Sequence, residues 1–267
     1  TAGRPVVLTS ATLGSPVGVA ASVGLKATET AVLESPWPLQ DMGCVYVPAG
    51  GPSPKASSTW PAFASAQVTR LCQLTAGGAL VLCTSRATMT RFAQDLRDQT
   101  SLDVRMQGEA GRGSLLEWFR DHRDGVLVAS RSFFQGVDVP GESLRLVILD
   151  KVPFDVPDLL EKQIGEKIEE AGGSAFRDRS IPRAKQVLQQ AAGRLIRSAS
   201  DRGAFVCLDN RLTDARYSAA LLQALTPFPV TTHIEDVGKA MTEPVRPKPA
   251  HVPRAARRRR VRALKAS

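Results

Sequence analysis

Two patterns of apolar residues alternate along this chain. Near-continuous apolar runs occur at Ala79–Cys83, Val126–Ala129, Leu144–Leu149 and Ala204–Leu208. Runs this short, without polar alternation, predict strands buried on both faces. Between them the spacing becomes helical. A helix is predicted over Pro61–Leu74, and another behind Thr84-Ser85, where Met89, Phe92, Ala93 and Leu96 share a face. A third begins at Ser114, which fits a capping box with Glu117 ahead of Trp118 and Phe119. A fourth covers Asp158–Ala171, with Leu160, Ile164, Ile168 and Ala171 as its stripe. Shorter strands are predicted at Cys44–Val47 and Leu102–Met106, and a last helix runs to about Leu225. Strands alternating with amphipathic helices predict a mainly parallel sheet covered on both faces, a three-layer α/β/α domain over residues 35–225.

The flanks read differently. Val6–Thr9 predicts a strand ending in the polar turn Ser10-Ala11-Thr12, and Ser15-Pro16 can start a short helix through Val23. Glu34–Ser58 is rich in Pro, Gly and Ser and mostly irregular. Residues 226–243 read as a terminal helix or linker. Pro244–Ser267 holds nine Lys and Arg and no acid, so a chain of net charge +9 is neutral over residues 1–243. That tail predicts disorder. It either holds nucleic acid electrostatically or serves only as a solubiliser.

Length and composition set the class. At 267 residues, with 43% hydrophobic and 23% charged residues, one or two soluble domains are expected. No apolar run approaches a membrane span and no signal peptide opens the chain, so a cytosolic location is expected. Cys44, Cys72, Cys83 and Cys207 are scattered without a CxxC pair, which predicts buried thiols rather than disulfides or a metal site.

The candidate chemistry centres on Val187–Gly203. Plotted as a helix at roughly 100° per residue, it puts Leu188, Ala191, Ala192, Leu195 and Ala199 on one side. Gln190, Arg194 and Arg197 fall on the other, with Arg183 near them. Two guanidiniums and an amide on one face suit an anionic, hydrogen-bonding partner; a solvated charged face has the same pattern. In parallel sheets ligands gather beyond the carboxyl ends of the strands. Those ends carry Thr84-Ser85-Arg86 and Ser130-Arg131-Ser132. Hydroxyls at a helix start suit a phosphate, although an ordinary N-cap uses the same residues. In Ala129–Gly141, Gly136 permits close backbone approach and Asp138 can accept from a ribose or an arginine. Ser10 and Thr12 alone make only a turn.

Taken together, VVLTSATL, LVLCTSRATM, ASRSFFQGVDVPG and QAAGRLIRSASDRG resemble motifs III to VI of superfamily 2 helicases, in order. LVILDKVPFDVPD and AFRDRSIPRA are similar to the DinG-type branch of the XPD-like group. The resemblance, from Val6 to about Leu212, implies a RecA-like second lobe over residues 35–225. It makes residues 1–34 a motif III segment and link from a first lobe. ATP would lie between the lobes and single-stranded or forked DNA would cross both, with 5′-to-3′ travel. Arg194 and Arg197 would reach the nucleotide phosphates beside Gln190, with Gly136 and Asp138 at the same cleft. Thr84, Ser85, Arg86, Ser130 and Ser132 would meet DNA, and Ser10 and Thr12 would couple hydrolysis to lobe movement.

There are departures. No GxxxxGK[ST] loop and no DEAH-like box occurs, so the groups that cradle phosphate and hold Mg²⁺ must come from another lobe, in the same polypeptide or in trans. Where the relatives have Trp-Glu, this chain has Phe134-Gln135. The expectation is the carboxyl-terminal motor lobe of an ATP-dependent DNA helicase, inactive alone. The alternative is a non-enzymatic nucleic-acid-binding or accessory module derived from such a lobe.

Overall fold

The computed structural model describes residues 6–9, 19–20, 23–26, 29–31, 33, 35–56, 58–134 and 143–242. Ser10, Thr12, Gly136, Asp138 and the basic tail lie outside them. The chain divides into two units. In the one containing residues 1–36, a short turn brings the Leu25 N–H to the Ala20 carbonyl at 2.8 Å. Val6–Thr9 lies in no ladder, and Val6 and Val7 are 61% and 82% exposed, which corrects the expected strand. A β-prone run becomes a strand only by pairing.

The other unit, Trp37–Arg246, carries the sheet. Its strands are β1 (Gly43–Tyr46), β2 (Ala79–Cys83), β3 (Val104–Met106), β4 (Val126–Ser130), β5 (Leu146–Leu149), β6 (Gly203–Cys207) and β7 (Val230–Thr231). They lie in the order β3-β4-β2-β5-β6-β1-β7, every pairing parallel. The helices are α1 (Trp60–Leu74), α2 (Arg86–Gln99), α3 (Arg112–Asp121), α4 (Leu159–Glu170), α5 (Ile181–Ala192), α6 (Arg211–Asp214), α7 (Ser218–Leu222) and α8 (Ile234–Thr242).

The unbroken apolar strands are explained by burial on both sides. Leu80, Leu82, Val147, Leu149 and Phe205 face one core with Leu115 and Phe119 of α3 and Ala184 and Leu188 of α5. Ala79, Val81, Val128 and Ile148 face a second with Val68 and Leu71 of α1 and Phe92 and Leu96 of α2. The result is the three-layer α/β/α arrangement read from the periodicity. Residues 226–243 supply β7, which pairs with β1, and α8, which buries Ile234 and Val237 in the second core.

Three local expectations change. The α3 helix begins at Arg112 with Gly111 as N-cap, so Ser114 is already in the first turn and forms no capping box. The helix expected to reach Leu225 is broken at Ala215, whose extended backbone (ψ 153°) separates α6 from α7. The Val187–Gly203 helix stops at Ala192.

Candidate functional site

The end of α5 decides where the arginines stand. Beyond Ala192 the hydrogen bonds shorten to i→i−3, from Arg194 N–H to the Ala191 carbonyl and from Leu195 N–H to the Ala192 carbonyl. Asp201 then captures the next donors. Its Oδ2 accepts from the N–H groups of Arg197 (2.7 Å) and Ser198 (2.8 Å), and its Oδ1 from the Ser198 hydroxyl (2.8 Å). A carboxylate that takes backbone N–H groups offers the chain an alternative to helix. Arg194 and Arg197 therefore stand on a ten-residue loop between α5 and β6 rather than on one helical face. Both are half-buried, as is Gln190 in the last turn of α5. Burial pushes the Arg197 pKa down from its ordinary value, and Asp201 opposes the shift.

This loop sits at the amino edge of the sheet. Leu195 packs against Gly203, where a Cβ would lie 2.8 Å from its Cδ2, and the Gly203 N–H donates to the Met42 carbonyl just ahead of β1. The expectation that all the chemistry lies beyond the carboxyl ends is thus corrected for Arg194 and Arg197. The reason is topological: α5 runs back against the parallel strands, so its carboxyl end meets their amino ends.

Thr84, Ser85, Arg86 and Ser130 do lie at the carboxyl edge, but two of them have their donors engaged. The N–H and hydroxyl of Thr84 both donate to Oδ2 of Asp150, at 3.0 and 2.7 Å. The N–H and hydroxyl of Ser130 both donate to Gln107 Oε1, each at 2.8 Å. Ser85 is the N-cap of α2 and accepts from Thr88 N–H at 3.1 Å. Arg86 follows it, exposed. Ser132 lies in a 3₁₀ turn, Arg131–Phe134, and its side chain is outside the described residues. Asp150, at the end of β5, is fully buried, and its Oδ1 has no hydrogen-bond partner. Burial holds its pKa above the ordinary aspartate value against the two Thr84 bonds.

Sequence reasoning missed an alternating chain of charges at this same edge. Arg131, just after β4, pairs with Asp155, just after β5. Asp155 lies 3.8 Å from Arg183 Nε, and Arg183 Nη1 lies 2.6 Å from Glu161 Oε1. Glu161 in turn accepts from Arg179 Nε and Nη2 at 2.5 and 2.7 Å. The Arg179 hydrogen bonds, helped by Arg183, hold the Glu161 carboxyl down at about 2. The sequence reading placed Arg183 near Gln190, Arg194 and Arg197; the structure pairs it with Asp155 and Glu161 instead, and nothing in the spacing marks those two as partners of Arg183 or Arg179.

The four cysteines are free and buried. Burial pushes the Cys44 and Cys72 thiols up to about 12 and raises those of Cys83 and Cys207 as well, which disfavours the thiolate form. Among the described residues no group of His, Cys, Asp and Glu could hold a metal ion, and no helix is long and apolar enough to cross a membrane.

Comparison with known proteins follows the same lines. The Helicase C-terminal domain family matches residues 68–228. "ATP-dependent DNA helicase YoaA" of Haemophilus influenzae is 35% identical over 222 residues, 82% of this chain and 34% of that protein. "ATP-dependent helicase DinG" of Mycobacterium tuberculosis is 34% identical over 250 residues, 88% of this chain and 36% of that one. The chain thus spans about a third of the length of these relatives. The solved structure of S. tokodaii Xpd4 superposes with a TM-score of 0.51 at 18% identity, covering 75% of this chain and 39% of that chain, a likeness of fold.

Proposed function

The chain belongs to the Helicase C-terminal domain family, and from that premise we propose that it is the second motor lobe of an ATP-dependent DNA helicase. The observation that supports this most is the separation of two polar surfaces across one sheet. Arg194 and Arg197 stand at the amino edge; Thr84, Ser85, Arg86 and Ser130 stand at the carboxyl edge. A lobe that meets a nucleotide and a nucleic acid together needs two surfaces on one rigid body, and a close-packed parallel sheet transmits displacement between them.

In this reading a first lobe, in the same polypeptide or in trans, supplies the phosphate cradle and the Mg²⁺ ligands. Arg194 and Arg197 reach across to the transferring phosphoryl group with Gln190 beside them, and Gly136 and Asp138 border the same cleft. An inserted arginine stabilises charge that builds on the phosphoryl oxygens, and it is worth about 10³–10⁵ in rate, or ~4–7 kcal/mol of barrier. Half-burial strengthens that effect, because the guanidinium acts where water is partly excluded while remaining charged. Single-stranded DNA crosses the carboxyl edge. Ser10 and Thr12 transmit the nucleotide state between lobes.

The test is turnover with and without the first lobe. The 267-residue chain alone is expected to hydrolyse no ATP, with or without DNA. Joined to a lobe bearing a phosphate-binding loop, it is expected to give DNA-stimulated hydrolysis. Turnover by the chain alone, or none by the pair, overturns the reading.

A further inference from the structure

We propose that Arg131, Arg179 and Arg183 form a phosphodiester-binding site at the carboxyl edge of the sheet, with Asp155 and Glu161 as internal counter-ions that DNA phosphates displace. The inference rests on the reading that this edge meets single-stranded DNA, and it names the groups that take the phosphates. Three observations carry it. First, the hydroxyls of Thr84 and Ser130 already donate to Asp150 and Gln107. A phosphodiester has only acceptors to offer, so it gains nothing from a hydroxyl whose proton is engaged. Second, three guanidiniums alternate with two carboxylates here on side chains that remain partly exposed, and with Lys162, Glu166 and Glu169, which line the same cleft, the group is neutral rather than acidic. Third, Arg131 Nη1 is buried with no hydrogen-bond partner. A buried guanidinium N–H without an acceptor is costly, and a phosphate that draws the guanidinium away from Asp155 relieves that cost.

The setting suits the ligand. Asp155, Glu161, Arg179, Ser180 and Arg183 line one cleft of about 250 Å³. Arg183 is shared between the two carboxylates, so it keeps one partner when a phosphate displaces the other. The guanidinium fork can bind either anion through two parallel N–H···O bonds. Glu166 and Glu169, farther along α4, also line the cleft and limit the site on that side.

The experiment measures binding of an oligothymidylate single strand to the full chain across a salt series. Replacing Arg179 and Arg183 together by Gln is expected to weaken binding about tenfold and to lower the salt slope by ~1.4, about 0.7 per lost contact on a single strand. Glu161→Gln is expected to do the reverse and tighten binding, because it frees both arginines. A misfolded variant cannot mimic a gain in affinity. Wild-type binding with neither the Arg pair nor Glu161→Gln changing affinity or slope overturns this inference and leaves the DNA-binding reading standing. Absence of wild-type binding overturns both.

Discussion

Thr84 and Asp150 are joined twice through one atom: both the backbone N–H and the hydroxyl of Thr84 donate to Asp150 Oδ2. The pair ties the end of β2 to the end of β5 and fixes the start of α2. It also leaves Asp150 buried with its other oxygen unpaired. Asp150→Ala would strand the Thr84 N–H and is expected to cost about 1–3 kcal/mol in urea denaturation at neutral pH. A cost near zero would show that the bond does not stabilise the fold.

The same burial gives a pH signature. Asp150 has a folded pKa above its unfolded one. Such a carboxyl contributes stability that is fully present below the unfolded value and lost as pH rises through the folded value. Asp150→Asn removes the titration. Wild type is therefore expected to lose stability relative to Asp150→Asn as pH rises above the ordinary aspartate range, and a difference independent of pH would refute the shift.

Glu161 has the opposite sign. Its carboxyl is held down at about 2 by Arg179 and Arg183. Its contribution is present above the ordinary glutamate value and disappears as pH falls toward 2. In acid titrations followed by circular dichroism, the stability gap between wild type and Glu161→Gln should close over that window. A gap that persists at pH 2 would mean the ion pairs are not its source.

Gly43 and Gly203 face each other across β1 and β6. A Cβ at Gly43 would lie 2.4 Å from the Gly203 carbonyl oxygen and 3.2 Å from the Phe228 ring. Backbone cannot step aside as a flexible side chain can, so Gly43→Ala is expected to destabilise by about 1–3 kcal/mol, the usual cost of overpacking. Thermal denaturation equal to wild type would show that the strands separate freely there.

What could be read from sequence follows from how local each signal is. The strand ALVLC and the Leu188, Ala191, Ala192 stripe are dictated by neighbouring residues, and both landed in the core as spaced. Ser85 and Asp158 cap their helices as hydroxyl and carboxylate N-caps do. The helix stops at Gly193, its C-cap, a stop signal that periodicity alone overlooks; that Asp201 then folds back on the N–H groups of Arg197 and Ser198 is encoded in no local pattern. β7, two residues long, becomes a strand only because β1 offers an edge. The α4 stripe looked like a core face, yet Leu160 is 62% exposed and only Gly165 is buried. Ile164 and Ile168 are half-buried rather than core residues. Helical periodicity groups Gln190, Arg194 and Arg197 on one face, but only Gln190 stays on the helix, and no local signal shows that the two arginines stand at the opposite edge from Thr84 and Ser130.

The central claim is that the arginine loop completes a phosphoryl-transfer site formed with another lobe. Its most direct measurement is ATP turnover by the two-lobed motor carrying Arg197→Ala, alongside nucleotide affinity. Turnover is expected to fall about 10³–10⁵-fold, with affinity changed no more than a few-fold. Wild-type turnover in that variant would contradict the account.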